Sequence, residues 1–76
     1  MTINVLVFAS LSEQLGLSKT TLDAASHATA IDVWQSITTQ PLTENILIAI
    51  NQAYAHASDT VADNDEVAFF PPVTGG

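Results

Sequence analysis

Glu66-Val67-Ala68-Phe69-Phe70-Pro71-Pro72-Val73-Thr74-Gly75-Gly76 is the stretch on which the reading of this 76-residue chain turns. Glu66 to Phe70 alternates and carries two aromatic residues, which predicts a strand. Pro71 and Pro72 lack a backbone N–H and hold φ fixed, so strand pairing must stop there. Two consecutive prolines also favour a stiff, extended exit. Gly75 and Gly76 have no Cβ, so a protein channel could close around their backbone. The expected organisation is a folded domain over residues 1–70 and an extended tail over 71–76.

A carboxylate at the tip of such a tail suits activation chemistry. Attack on the α-phosphate of ATP makes an acyl-adenylate with a good leaving group. A sulfur nucleophile then displaces AMP and leaves a thiocarboxylate; an amine acceptor gives an amide conjugate instead. The ordinary reading of a bare glycine pair is a frayed terminus. The Phe-Phe-Pro-Pro lead-in argues against it.

Working back from the tail, the composition narrows the class. Hydrophobic residues make up 47% and charged residues 12%, too apolar for a disordered chain. Seventy-six residues suffice for one small domain. Its apolar content hints at surface left for a protein partner. The net charge is −7, with Lys19 the only cationic residue besides histidine. That argues against nucleic acid and anionic membranes, and fits a basic protein partner. Without cysteine, disulfides and thiolate catalysis are excluded; if this chain carries sulfur, only the C-terminus is left to carry it. Neither a signal peptide nor a spanning segment is expected, and a cytoplasmic location follows.

Thr2 to Ala9 reads as a strand with Ile3, Val5 and Val7 on one face and Asn4, Leu6 and Phe8 on the other. Ser10 and Glu13 predict a capping box for a short helix, Leu11 to Leu15, closed by Gly16. Lys19 to Asp23 is a second strand, forming a hairpin with the first. Ala24 to Ala28 is a loop with a solvated His27. Thr29 and Asp32 start an amphipathic helix centred on Trp34 and stopped by Pro41. Asn45 to Asn51 is a strand with Ile46, Ile48 and Ile50 inward. Asn51-Gln52 turns into a short edge strand at Ala53 to Ala55. His56 and Asp59 lack further ligands, so no metal site is expected. Asp63-Asn64-Asp65 is a turn, not a calcium loop, with Asn64 suited to a left-handed conformation.

These elements predict an α+β fold, a mixed sheet with one main helix on one face, in a β-grasp (ubiquitin-like) order. The opposite sheet face is then bare. Period two places Val67 and Phe69 in the core and Ala68 and Phe70 outside with Leu6 and Phe8. Tyr54 falls nearby, and the aromatic patch beside the tail reads as a docking surface.

Asp65 through Gly76, with Val5-Leu6-Val7-Phe8-Ala9 and Ile50-Asn51-Gln52, resembles the sulfur-carrier subunits of molybdopterin synthase, within the MoaD/ThiS ubiquitin-like group. The likeness runs through the whole chain, and its specific part is Phe-Phe-Pro-Pro-Val-Thr-Gly-Gly. Asn64, where glycine is frequent, and Tyr54, where a smaller aliphatic is usual, depart from the pattern. The resemblance implies a non-catalytic donor subunit. An ATP-dependent activating enzyme would adenylate the Gly76 carboxylate, and sulfur transfer would make it a thiocarboxylate. That group would donate sulfur to cyclic pyranopterin monophosphate and build the molybdopterin dithiolene. Gly75, Thr74, Val73 and Pro72 match the segment inserted into the large subunit's active site. Phe8, Tyr54 and Phe70 match the apolar contact with it, in a heterotetramer. No cofactor is held permanently. A thiamine-type sulfur carrier, a ubiquitin-like protein modifier and a plain structural domain are the competing readings.

Overall fold

The computed structural model describes residues 2–24 and 28–72. In chain order they form β1 (Thr2–Val7), α1 (Ala9–Leu15), β2 (Lys19–Asp23), α2 (Ala30–Ile37), β3 (Leu47–Ile50), β4 (Ala53–Ala55) and β5 (Glu66–Phe70). Among the described residues the strands make one sheet in the order β2-β1-β5-β3-β4. β1 runs parallel to β5, and the remaining pairs are antiparallel. With α2 as the main crossover element, this is the β-grasp arrangement.

Alternation along β1 and β5 decides which face is sealed. Ile3, Val5, Val7, Val67 and Phe69 point to the helix side and are buried. Val33 and Trp34 of α2 close on them, and the Trp34 and Phe69 rings meet edge to face at 5.1 Å between centroids. The Trp34 indole N–H donates to the Gln40 carbonyl at 2.7 Å, so the one polar atom in the middle of the core is satisfied. Emptying the Phe69 position would cost about 3–5 kcal/mol by the usual scale for a buried aromatic.

α2 starts as its sequence predicts, with the Thr29/Asp32 capping box formed. The Asp32 carboxylate accepts the Thr29 N–H at 2.9 Å and its hydroxyl at 3.0 Å. The helix ends at Ile37, where the Thr38 N–H still reaches the Trp34 carbonyl, three residues short of the residue before Pro41.

Two local expectations fail. The Ser10/Glu13 capping box does not form, because α1 begins at Ala9 with Phe8 as its cap and Ser10 already inside the first turn. The cause is the sheet: Phe8 N–H donates to the Phe69 carbonyl at 3.0 Å, so pairing with β5 persists to Phe8. The chain then turns at once through Ala9, at φ 55. Strand β3 begins at Leu47, not Asn45. Ile46 instead lies in a turn, its N–H donating to the Thr43 carbonyl, and packs on the core from there.

The turns carry the left-handed residues. Asn51 and Gln52, at φ 52 and 69, make the two-residue hairpin between Ile50 and Ala53. Asn64 is left-handed, at φ 67, and Gly16 closes α1 at φ 75.

Candidate functional site

The face of the sheet away from α2 is the only broad surface on which this chain gathers aromatic side chains among the described residues. Strand register builds it row by row. Phe8 follows β1 beside Phe70 of β5, which pairs with Leu47 of β3. The next row is Lys19, Leu6, Ala68, Ala49 and Tyr54, one residue from each strand. Below it lie Thr21, Asn4 and Glu66.

Phe70 is the hub of the patch. Its ring centroid lies 6.3 Å from that of Phe8, edge to face, and 6.0 Å from that of Tyr54. Phe8 and Tyr54 remain 47% and 77% exposed. These are the two large hydrophobic side chains the fold leaves open among the described residues, and they flank one spot. A shallow groove runs between them, lined by Leu6, Ala49, Gln52, Glu66 and Ala68 as well. Ala68 faces outward as expected but is buried, because its single methyl lies below the larger side chains that line the groove. Exposed aromatics around a groove floored by small residues are what a protein anchor needs.

The chain leaves this patch through Pro71, half-buried, and Pro72, exposed. Both prolines line a second groove with Ser10, Leu11, Gln14, Gln40, Pro41 and Ile46. Gln14 Nε2 donates to Gln40 Oε1 there, at 2.6 Å, tying α1 to the segment after α2. Val73, Thr74, Gly75 and Gly76 lie outside the described residues, as does His27.

Other polar candidates have structural employment. His56 Nδ1 is 3.7 Å from Asp59 Oδ2, with both side chains exposed, and the same Asp59 oxygen accepts the His56 backbone N–H. Asp63 accepts the Thr2 N–H. Asp65 accepts the Ala62 N–H and the Asn51 side-chain amide. Among the described residues, no group of three or more His, Cys, Asp or Glu could hold a metal ion. No described helix is long and apolar enough to cross a membrane.

Sequence reasoning named Phe8, Tyr54 and Phe70, which the fold brings together. It passed over Glu66, although period two from Phe70 and Ala68 leads straight to it. It also passed over Lys19, whose place depends on the β1–β2 register. Those strands are joined through α1 rather than a tight turn, so no turn chemistry announced that register.

Residues 5–76 match the family model described as the ThiS family. The chain belongs to the ThiS family. Its relatives in that family include the molybdopterin synthase sulfur carrier subunit of Escherichia coli strain K12, 38% identical, with 97% of this chain and 99% of the relative covered. SAMP1 of Haloferax volcanii, a small archaeal modifier protein, shares the fold at a TM-score of 0.84 and 26% identity, over all of both chains. The same fold recurs at a TM-score of 0.69 and 17% identity, again over both whole chains, in a complex of subunits 1 and 2 of the molybdopterin-converting factor from Helicobacter pylori. That last likeness speaks to fold only. Within the ThiS family, then, this chain pairs a sealed β-grasp core with an aromatic patch at the root of its tail.

Proposed function

We propose that this chain is the sulfur-carrier subunit of a molybdopterin synthase and that Gly76 is its working residue. An oxygen of the Gly76 carboxylate attacks the α-phosphorus of ATP on an activating enzyme, and pyrophosphate leaves. A sulfur nucleophile then displaces AMP from the acyl-adenylate, giving a thiocarboxylate. Docked on the large synthase subunit, the tip gives up its sulfur to cyclic pyranopterin monophosphate. Water restores the carboxylate, and two such rounds supply the dithiolene. Pro72, Val73, Thr74 and Gly75 thread the large subunit's active site, Phe8, Tyr54 and Phe70 anchor its surface, and two copies of each subunit assemble. The chain holds no cofactor, and the ATP belongs to the activating enzyme. We place it in the cytoplasm, where that ATP is available.

The observation that carries this reading is the aromatic cluster centred on Phe70, one residue before Pro71. It is joined to a fold whose described polar side chains offer no acid, base or nucleophile constellation. An exposed aromatic anchor beside the tail is what a carried substrate would need to dock on a partner that supplies the catalysis. The sulfur-carrier name of the 38% identical relative supports the same reading.

Incubation with the activating enzyme, ATP and a sulfur source should shift the intact mass by one oxygen-to-sulfur exchange. Deleting Gly76 should abolish that shift and leave the fold intact. A deletion variant that still supports molybdopterin formation refutes the proposal. The SAMP1 likeness favours one second reading, a modifier joined to lysines of other proteins. An isopeptide product in place of a free thiocarboxylate would select it.

A further inference from the structure

Glu66 and Lys19 are the two charges nearest the aromatic patch on the open sheet face; a third, Asp23, lies on the same face at the far end of β2. Glu66 sits on β5, in line with Ala68 and Phe70, half-buried, and lines the groove beside Tyr54 and Gln52. Its backbone is tied down: the N–H donates to Asn51 Oδ1 at 2.9 Å, and the carbonyl accepts the Asn51 N–H at 2.8 Å. Its carboxylate, in contrast, has no hydrogen bond or ion pair with any described residue, unlike the carboxylates of Asp63 and Asp65 beside it. Lys19 is exposed at the β2 end of the middle row, across from Leu6, and it is the sole lysine in a chain without arginine. No ion pair joins the two.

Size decides whether a partner must deal with them. A stable interface covers ~800 Å² on each side, a disc with a radius of roughly 16 Å. Centred on Leu6 and Ala68, such a disc takes in Phe70. Glu66 is four residues from Phe70, about 13 Å along the strand, and Lys19 lies two strands from Ala68, about 10 Å away. A partner that buries the patch therefore covers both charges. Covering a charge without an opposing group is strongly unfavourable, so a tight partner must answer each.

We propose that docking on this face is selected by charge as well as by the aromatic anchor: the large synthase subunit presents a cationic side chain to Glu66 and an anionic or acceptor group to Lys19. This rests on the sulfur-carrier reading above. It explains why a chain of net charge −7 keeps its one lysine on this surface. It also makes Glu66 and Lys19 specificity-determining residues, able to reject partners that match the aromatics only.

The test titrates the full-length chain and its Glu66→Gln, Glu66→Lys, Lys19→Glu and Phe70→Ala variants against the purified large subunit by calorimetry, at low and high salt. Neither the Glu66 nor the Lys19 side chain makes a hydrogen bond or ion pair with a described residue, and circular dichroism spectra check that each variant keeps the fold. Glu66→Gln should weaken binding about tenfold at low salt, and each charge reversal by more. Those losses should shrink at high salt, whereas the Phe70→Ala loss should persist. Charge variants that bind like the wild type, while Phe70→Ala is weakened, overturn this proposal and leave the docking reading standing. A wild-type chain that does not bind the large subunit overturns both.

Discussion

Asn51 should be worth far more to this protein than an exposed turn residue ordinarily is. Its side-chain carbonyl accepts the Glu66 N–H at 2.9 Å, and its amide donates to Asp65 Oδ1 at 2.8 Å. One side chain thus ties the β3–β4 hairpin to the start of β5, from a backbone held at φ 52. Asn51→Ala removes two hydrogen bonds, each worth about 1 kcal/mol net. It also puts a Cβ with no compensating polar group into the left-handed region, for about 1 kcal/mol more. The expected loss is about 2–3 kcal/mol, and a domain of this size holds only ~4–11 kcal/mol in total. Asn51→Gly loses the same two bonds but suits the positive φ, so it should cost about 1 kcal/mol less than alanine. Urea unfolding followed through the fluorescence of Trp34, which is buried, gives both values with an unchanged slope. An alanine variant within about 0.5 kcal/mol of wild type would show that the tie to β5 carries no energy. A glycine variant as unstable as alanine would dispose of the backbone argument.

The neighbouring Gln52, at φ 69, tests the same geometry in the other direction. Gln52→Gly relieves a left-handed Cβ worth ~1–2 kcal/mol against about 0.5–1 kcal/mol of added chain entropy, so the urea midpoint should rise. Trp34→Phe keeps most of the packing on Phe69 but leaves the Gln40 carbonyl without its indole donor, which should cost about 1–3 kcal/mol in the same assay. Phe70→Ala removes the hub of the patch and should weaken binding of the proposed large-subunit partner by about 1–4 kcal/mol in calorimetry, alongside a loss of about 1–3 kcal/mol in unfolding free energy from its two ring contacts. Unchanged affinity would take Phe70 out of the interface.

Most of the architecture was legible because two periodicities are clean. The alternation in Ile3-Asn4-Val5-Leu6-Val7 and Val67-Ala68-Phe69-Phe70 separated the sealed face from the open one, and the Thr29/Asp32 pair marked the start of α2 correctly. What escaped was settled by contacts distant in sequence. Ser10 and Glu13 have the spacing of a capping box, but pairing of Phe8 with Phe69, 61 positions away, moved the helix start to Ala9. Ile46 has the apolar character of a strand residue, yet the Thr43–Ile46 turn claims it. In the site, the three aromatics could be found because each is large and apolar in a small domain. The flanking charges could not be weighed as a pair, since their places depend on register between strands joined by a helix and by a long crossover.

If Gly76 is the working residue, as proposed above, its distance along the chain from Phe70 restricts how an enzyme can reach it. Six residues follow Phe70, and at no more than ~3.6 Å each they reach about 20 Å from the patch. An active site that works on Gly76 must therefore lie close to the domain, and the enzyme body around it must rest on whatever surrounds the exit. On one side that is the aromatic patch of Phe8, Tyr54 and Phe70; on the other it is the proline groove with Leu11, Gln40 and Ile46. The two surfaces adjoin at the exit, through the consecutive residues Phe70 and Pro71. An activating enzyme and an acceptor enzyme that each hold the tip consequently cannot occupy the domain together. On the proposed sulfur-carrier reading, the chain must let go of one before it meets the other, so neither contact would be of the obligate, near-permanent kind. That reading accounts for a patch of three rings rather than a broad apolar face: enough anchor for a specific encounter, with a release rate still compatible with repeated loading and unloading.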